Sequence, residues 1–327
     1  MCADTREVEV AGAGSSVLAL FANSLNAEVL RVHAEAPQRV SKLHGRIGWA
    51  AETTLRAAVA TLVEAGALAN AEGSFYAVEH RLTPAGEEML FVAEVLEAWL
   101  AKAPGGPIAP NSKAARSAVK SLTEGWNSTL VPTLASRPHS LRELDDLIPE
   151  VDSPALARQL TKMRSSRQID RPRGAGSTTP YEVTEWLRRA IAPLAAAARC
   201  ERRHLRAETA PINGVEVEGA FLLTLPLVTL PATAGGSCVL AAHTGAAEPS
   251  GSRQDPLAGV TARVERGRVA ACASDVGEQP ETWALGTPEA WLEAVIDGNR
   301  ETLRFGGAMP QLPLALAKGL HRELFGG

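Results

Sequence analysis

What this chain has little of narrows its chemistry before any motif is read. Its four cysteines, Cys2, Cys200, Cys238 and Cys272, lie far apart, and none pairs with a cysteine or histidine at metal-ligand spacing. That argues against both a zinc site and a disulfide scaffold. Seven histidines are scattered as widely, with no HExxH and no GxSxG elbow. With no recognisable set of acid, base and nucleophile, the chain reads as a non-enzyme that needs no metal and no cofactor. Aromatic residues make up only 4%. No apolar run approaches the roughly 20 residues that span a bilayer. Met1 to Val10 carries acidic charge where a secretory leader has a basic start and an apolar core. The expected compartment is the cytoplasm, with no membrane partner.

What is present is ordinary globular material, 45% hydrophobic and 21% charged over 327 residues, enough for two or three domains. The net charge of −4 conceals an uneven distribution. Residues 126–206 hold 14 basic and 9 acidic side chains, residues 1–125 hold 11 and 14, and residues 207–327 hold 8 and 14. A polyanion would bind the middle third.

Laid on itself at an offset of 101 residues, the chain brings 25–85 into register with 126–186 without a gap. Asn26 falls on Asn127, Pro37 on Pro138, Leu43 on Leu144, Ile47 on Ile148, Leu55 on Leu156 and Thr83 on Thr184, and apolar character is kept between the identities. Each copy reads as helix, short helix, helix, two-stranded ribbon, helix. In the second copy a helix over Trp126 to Ala135 stops before Pro138, because the residue preceding proline is pushed out of the α region. Ser140 caps a short helix, Leu141 to Ile148. Ser153 and Pro154 supply an N-cap and a first-turn proline for a third helix over Ala155 to Ser166, which buries Leu156, Leu160 and Met163. A basic turn, Arg171 to Ser177, separates two short extended runs. This is the layout of a winged helix-turn-helix.

The third helix of such a unit enters the major groove, while the wing and helix N-termini hold phosphates. In the second copy the outward residues are Ala155, Arg158, Gln159 and Lys162, flanked by Arg164 and Arg167. Arg158 and Gln159 are the candidates for base reading. Arg171 and Arg173 on the wing suit phosphate or minor-groove contact, and Ser177 on the wing and Ser153 at the helix start are further DNA-binding candidates. In the first copy the outward residues are Thr54, Ala57, Ala58 and Thr61, with Arg39, Lys42 and Arg46 on or before the second helix. The first copy therefore either touches DNA weakly or serves as a structural partner.

The segments APQRVSKL (Ala36 to Leu43) and HRLTPAGEEM (His80 to Met89) resemble the HxlR type of winged-helix transcriptional regulators, which share a proline-basic start to the second helix and an LTPxG start to the last. RPHSLREL (Arg137 to Leu144) and Ser153-Pro154 fit the same pattern, whereas YEVTEWL (Tyr181 to Leu187) lacks its proline and glycine. The resemblance implies double-stranded operator DNA as a partner. Members of that family dimerise, so the tandem repeat implies a pseudo-dimer within one chain, and a homodimer of chains stays open.

From about residue 207 the texture changes to extended apolar runs, Val215 to Val217, Ala220 to Leu230, Ser237 to His243, Val260 to Glu265 and Arg268 to Ala273, with a hairpin signal at Glu265 to Arg268. Helices follow over Glu289 to Asp297 and Pro313 to Phe325. An antiparallel sheet covered by helices is expected. The strings TPEAWLEAVIDG (Thr287 to Gly298) and LRFGG (Leu303 to Gly307) are similar to sterol-carrier-protein domains, which implies an apolar small-molecule ligand between sheet and helices. Phe221, Leu223, Trp283, Trp291, Leu292, Leu303, Phe305, Met309 and Leu316 are the expected lining. The fold class is thus an α+β multidomain chain: two mainly helical winged helix-turn-helix units (1–103 and 114–206) followed by an α+β sterol-carrier-protein-like domain (207–327). The leading functional expectation is a ligand-responsive DNA-binding regulator. The alternative is a ligand-sequestering carrier or antibiotic-binding resistance protein, with the winged helices as scaffold.

Overall fold

A computed structural model describes residues 16–71, 78–125, 130–149, 151–171, 179–205, 214–244, 257–276 and 280–326. It is a mixed α/β structure. The first segment comprises α1 (Ser16–Leu20), α2 (Ser24–Glu35), β1 (Gln38–Arg39), α3 (Val40–Arg46), α4 (Glu52–Glu64), β2 (Leu68–Asn70), β3 (Glu79–Leu82) and α5 (Pro84–Ala101). The second comprises α6 (Lys113–Gly125), α7 (Leu130–Ser136), α8 (Leu141–Leu147), α9 (Ser153–Ser165), β4 (Ile169–Asp170), β5 (Glu182–Val183), α10 (Glu185–Arg189), α11 (Ile191–Cys200) and a π-turn, Glu201–Leu205. The third comprises α12 (Gly214–Thr224), β6 (Gly236–His243), β7 (Leu257–Glu265), β8 (Arg268–Ala273), β9 (Thr282–Gly286), α13 (Pro288–Ile296), β10 (Arg304–Gly307) and α14 (Gln311–Leu324).

The repeat is visible in the backbone. Helices α3 and α8, and α4 and α9, begin and end at positions 101 apart. Thr83 and Thr184 make the same three side-chain contacts: each hydroxyl accepts from a backbone N–H at the start of its helix (Gly86 and Leu187) and lies against two carbonyls before the ribbon (Gly66 and Ala67, Arg167 and Gln168). Gly66 and Arg167, equivalent in register, both adopt positive φ, at 75° and 61°. The copies diverge at the last helix. Where α5 is continuous, the second copy breaks between α10 and α11, because Pro193 has no N–H for the carbonyl of Arg189.

Helices α5 and α11, equivalent in the repeat, pack on one another. Trp99 of α5 and Trp186 of α10 stack with ring centroids 4.3 Å apart, and each indole N–H donates to the other's carbonyl, at 2.8 and 3.0 Å. At the opposite end Glu88 of α5 takes the Arg199 guanidinium (2.6 Å) and lies 2.7 Å from His204 Nε2, while Arg199 also reaches Asp297 at the end of α13 (2.5 Å). One buried arginine therefore ties all three segments together.

In the third segment the sheet order is β10-β9-β6-β7-β8, antiparallel except for β6 and β9, which run parallel. The expected antiparallel sheet is thus mixed, since the chain leaves edge strand β8 and crosses back to lie beside β6. Arg266 and Gly267, both at positive φ, make the two-residue turn between β7 and β8. A larger correction concerns Val215 to Val217 and Ala220 to Leu230, read as extended but folded as α12 and a 3₁₀ turn, Leu225–Leu227. Helix α12 sits between β7 on one side and α7 and α10 on the other, so it is apolar nearly all round and lacks the periodicity that marks a surface helix. Arg188, itself largely buried, donates to the carbonyls of Leu222 and Leu223 at its end (3.0 and 3.1 Å).

Burial of histidines makes the chain acid-sensitive, in the first copy through His33 and His80 and in the second through His139. His33 of α2 is buried, with Nδ1 2.7 Å from the Val29 carbonyl, Nε2 without a partner, and the His80 ring 6.5 Å away. Desolvation holds its pKa below the ordinary histidine value, and His80 adds to the effect. Below about pH 6.5 the unfolded chain binds a proton that the folded site refuses, so stability falls as pH drops through that value. The equivalent position is Leu134. His33→Leu is expected to shrink the loss of urea midpoint between pH 7.5 and 5.5; an undiminished loss would place the acid sensitivity elsewhere.

Candidate nucleic-acid interface and ligand cavity

Helix α8 opens with a capping box, in which the Ser140 hydroxyl accepts from the Glu143 N–H and the Glu143 carboxylate accepts from the Ser140 N–H. The Ser140 backbone bond, then Arg137 at 2.9 Å, brings the Glu143 carboxyl down to about 2. The N-cap of α9 is Asp152, whose carboxylate accepts from Ala155 N at 2.5 Å, and not Ser153 as the sequence suggested. An ionised acceptor makes the stronger cap. The Ser153 hydroxyl donates to Asp145 across the turn and fixes α9 against α8.

On α9, Arg158, Thr161, Lys162 and Arg164 are exposed, Ala155 is half-buried, and Leu156, Leu160 and Met163 are buried. Gln159 does not face outward. It is half-buried and lines a small void with Ser121, Met163, Gln168 and Leu187. Ala58 of α4, placed outward with Thr54, Ala57 and Thr61, is buried, while those three are exposed. Ala58 and Gln159 are repeat equivalents, and one cause covers both: at 100° per residue they lie about 60° from the buried stripe and fall on its flank. The outward position missed in α9 is Thr161.

The two copies differ most in how their cations are used. In the first, Arg39 pairs with Glu79 (2.9 Å), Arg46 with Glu35 (2.5 Å) and Arg56 with Glu52 (2.6 Å), leaving Lys42 exposed. In the second, Arg142, Arg158 and Arg164 are exposed with no ion pair among the described residues. The Arg171 guanidinium lies 5.1 Å over the Tyr181 ring, which holds it beside β4. Arg167, though exposed, donates to the Pro104 carbonyl. Arg173 and Ser177 lie outside the described residues. The turn before α4 presents Trp49, 65% exposed, which the sequence reading did not single out.

A second concavity of about 110 Å³ lies between β6 and helices α11 to α14. Of the expected lining, Phe221, Trp291 and Leu292 face it. Phe221 meets the edge of Trp291 at 4.8 Å, and the Trp291 indole donates to the Ala241 carbonyl at 2.8 Å. The other six do not. Leu223, Leu303 and Leu316 are plain core, Trp283 and Phe305 lie half-buried on the β9–β10 edge of the sheet, and Met309 is exposed. The sequence reading missed Ile191 and Ala195, because it drew the ligand's walls from the third segment alone, whereas α11 closes this cavity.

No family model and no curated protein matches this chain. The site therefore rests on its own geometry. Among the described residues, no group of three or more histidines, cysteines or carboxylates could hold a metal ion. Burial pushes the thiols of Cys200, Cys238 and Cys272 up to about 12, so they stay protonated. No described helix is long and apolar enough to cross a membrane.

Proposed function

We propose that this chain is a ligand-responsive, DNA-binding transcriptional regulator of the cytoplasm, resembling the HxlR type, with its two winged helix-turn-helix units (1–103 and 114–206) forming an intrachain pseudo-dimer. An apolar small molecule binds the C-terminal, sterol-carrier-protein-like part (207–327). The observation that carries the reading is the row of exposed cations on α8 and α9, Arg142, Arg158 and Arg164, left without counter-ions where a recognition helix meets DNA. Leaving three arginines unpaired on two adjacent helices adds positive potential where phosphates would compete with no internal carboxylate. The packing of α5 on α11 supports the pseudo-dimer, and β2–β3 and β4–β5 are the wings.

The first unit, with its arginines neutralised by glutamates, contributes less to affinity. That same feature, with a cavity reaching α11, favours the carrier reading as runner-up. Polarisation titration of the full chain against its own upstream intergenic DNA at two salt concentrations separates them. A regulator binds that DNA at least roughly 1,000-fold more tightly than random sequence and loses affinity steeply with salt. Equal affinity for both sequences would leave the carrier. A bound ligand alters operator affinity only if it prefers one arrangement of the two units.

A further inference from the structure

Apart from the apolar cavity, a groove of about 360 Å³ runs between α5, the α10–α11 junction, α13 and the end of α14. It lies where all three segments meet, and its volume falls within the roughly 300–1,000 Å³ of small-molecule sites. Its apolar walls include Phe91, Val95 and Ala98 of α5, with Ala192, Ile296 and Phe325 from the other two segments, and Phe91 stacks on Phe325 at 6.3 Å.

Four charged side chains line the groove, and they are not used alike. Arg189 and Glu323 satisfy one another. The guanidinium donates to the Glu323 carbonyl (2.8 Å), lies 3.9 Å from its carboxylate and is also held by Glu185 (2.8 Å). Glu94 and Lys102, both exposed, make no ion pair among the described residues. Glu94 adds only a through-space pull on Arg31, which is already paired with Glu97 (2.5 Å) and Glu28 (3.0 Å). Eight residues separate Glu94 from Lys102, about 12 Å along the axis at 1.5 Å per residue. The groove thus offers one unmatched anion and one unmatched cation, with Val95 and Ala98 between them.

We propose that this groove is a binding site for a short apolar peptide with free termini, its ammonium at Glu94 and its carboxylate at Lys102. An extended chain covers about 3.3–3.6 Å per residue, so three or four residues span the gap. Their side chains meet Phe91, Val95, Ala98 and Phe325, and the open side of the groove leaves the N–H and C=O groups of the peptide to water. Ligands with a single charge fit less well. An organic acid would satisfy Lys102 and leave the Glu94 carboxylate against hydrocarbon, and an amine would do the reverse. The site differs in place and in chemistry from the cavity at Phe221 and Trp291, and it does not depend on the DNA-binding reading. Because its walls come from both repeats and the third segment, a bound peptide favours the arrangement in which all three are docked.

The test is calorimetric titration of the full chain, without DNA, with leucyl-alanyl-leucine, its N-acetyl form and its C-terminal amide. One free peptide should bind per chain, and each blocked form should bind about fivefold more weakly. Lys102→Gln should weaken the free peptide about fivefold and change its amide less than about twofold, since the amide has already lost the charge that Lys102 meets. Glu94→Gln should do the same to the free peptide and spare the N-acetyl form. Ala98→Trp, at an exposed wall position, should abolish binding of all three. No binding of the free peptide overturns the proposal, and so does binding that survives Ala98→Trp, which would place the peptide elsewhere. An effect of only one of the two charge variants also overturns it, because the groove would then take a singly charged ligand.

Discussion

The double variant Arg158→Ala/Lys162→Ala is expected to weaken operator binding about 100-fold and to lower the salt dependence of what remains by one to two phosphate equivalents. Each residue stands on the exposed face of α9, and each good base or phosphate contact there is worth about 1–3 kcal/mol. The matching change in the first copy, Thr54→Ala/Thr61→Ala, should cost less than about threefold, because those hydroxyls carry no charge and Thr61 already donates to the Ala57 carbonyl. Fluorescence polarisation on one labelled operator reads both. Equal losses from the two variants would mean that the copies read DNA alike, and no loss from the first would take α9 out of the groove.

The second large effect is on stability. Trp186→Ala removes a buried ring, its stack on Trp99 and the bond from its own indole N–H to the Trp99 carbonyl, while the Trp99 N–H keeps the backbone carbonyl of residue 186. Truncating a buried tryptophan costs about 3–5 kcal/mol. Since the pair joins α5 of one copy to α10 of the other, both copies should lose midpoint together in urea, with no separate transition for the first. Trp186→Phe, which keeps the stack and loses one bond, should cost about 1–3 kcal/mol. Two resolved transitions in Trp186→Ala, one at the native midpoint, would show that the copies fold independently.

How much of this was legible in the sequence depends on where a residue's neighbours lie. Most caps and turns were legible because their partners are local: Ser140 accepts from Glu143 three residues on, and Arg266-Gly267 turns between strands adjacent in sequence, although the cap of α9 fell one residue earlier than expected, on Asp152. The repeat supplied long-range registration, and α8 and α9 fell within two residues of expectation. Helix α12 was not legible, since its apolar faces answer to β7 and α7, elements that lie far along the chain in opposite directions. Gln159 and Ala58 show the limit of reading a helix face from three buried residues, because a stripe has flanks as well as a centre. The α11 wall of the cavity, Ile191 and Ala195, left no trace, because it meets the third segment only in space.

The packing of α5 on α11 also sets a clock. On a ribosome adding roughly 5–20 residues per second, the stretch between the end of α5 and the start of α11 takes on the order of 4–18 seconds to appear. Through that interval the apolar side of α5, including Trp99, has neither its partner helix nor its partner indole. The nascent chain is therefore open to chaperones, to proteases and to the same helix of a neighbouring polysome product, and slower translation across 102–190 would lengthen that exposure without changing the finished molecule at all.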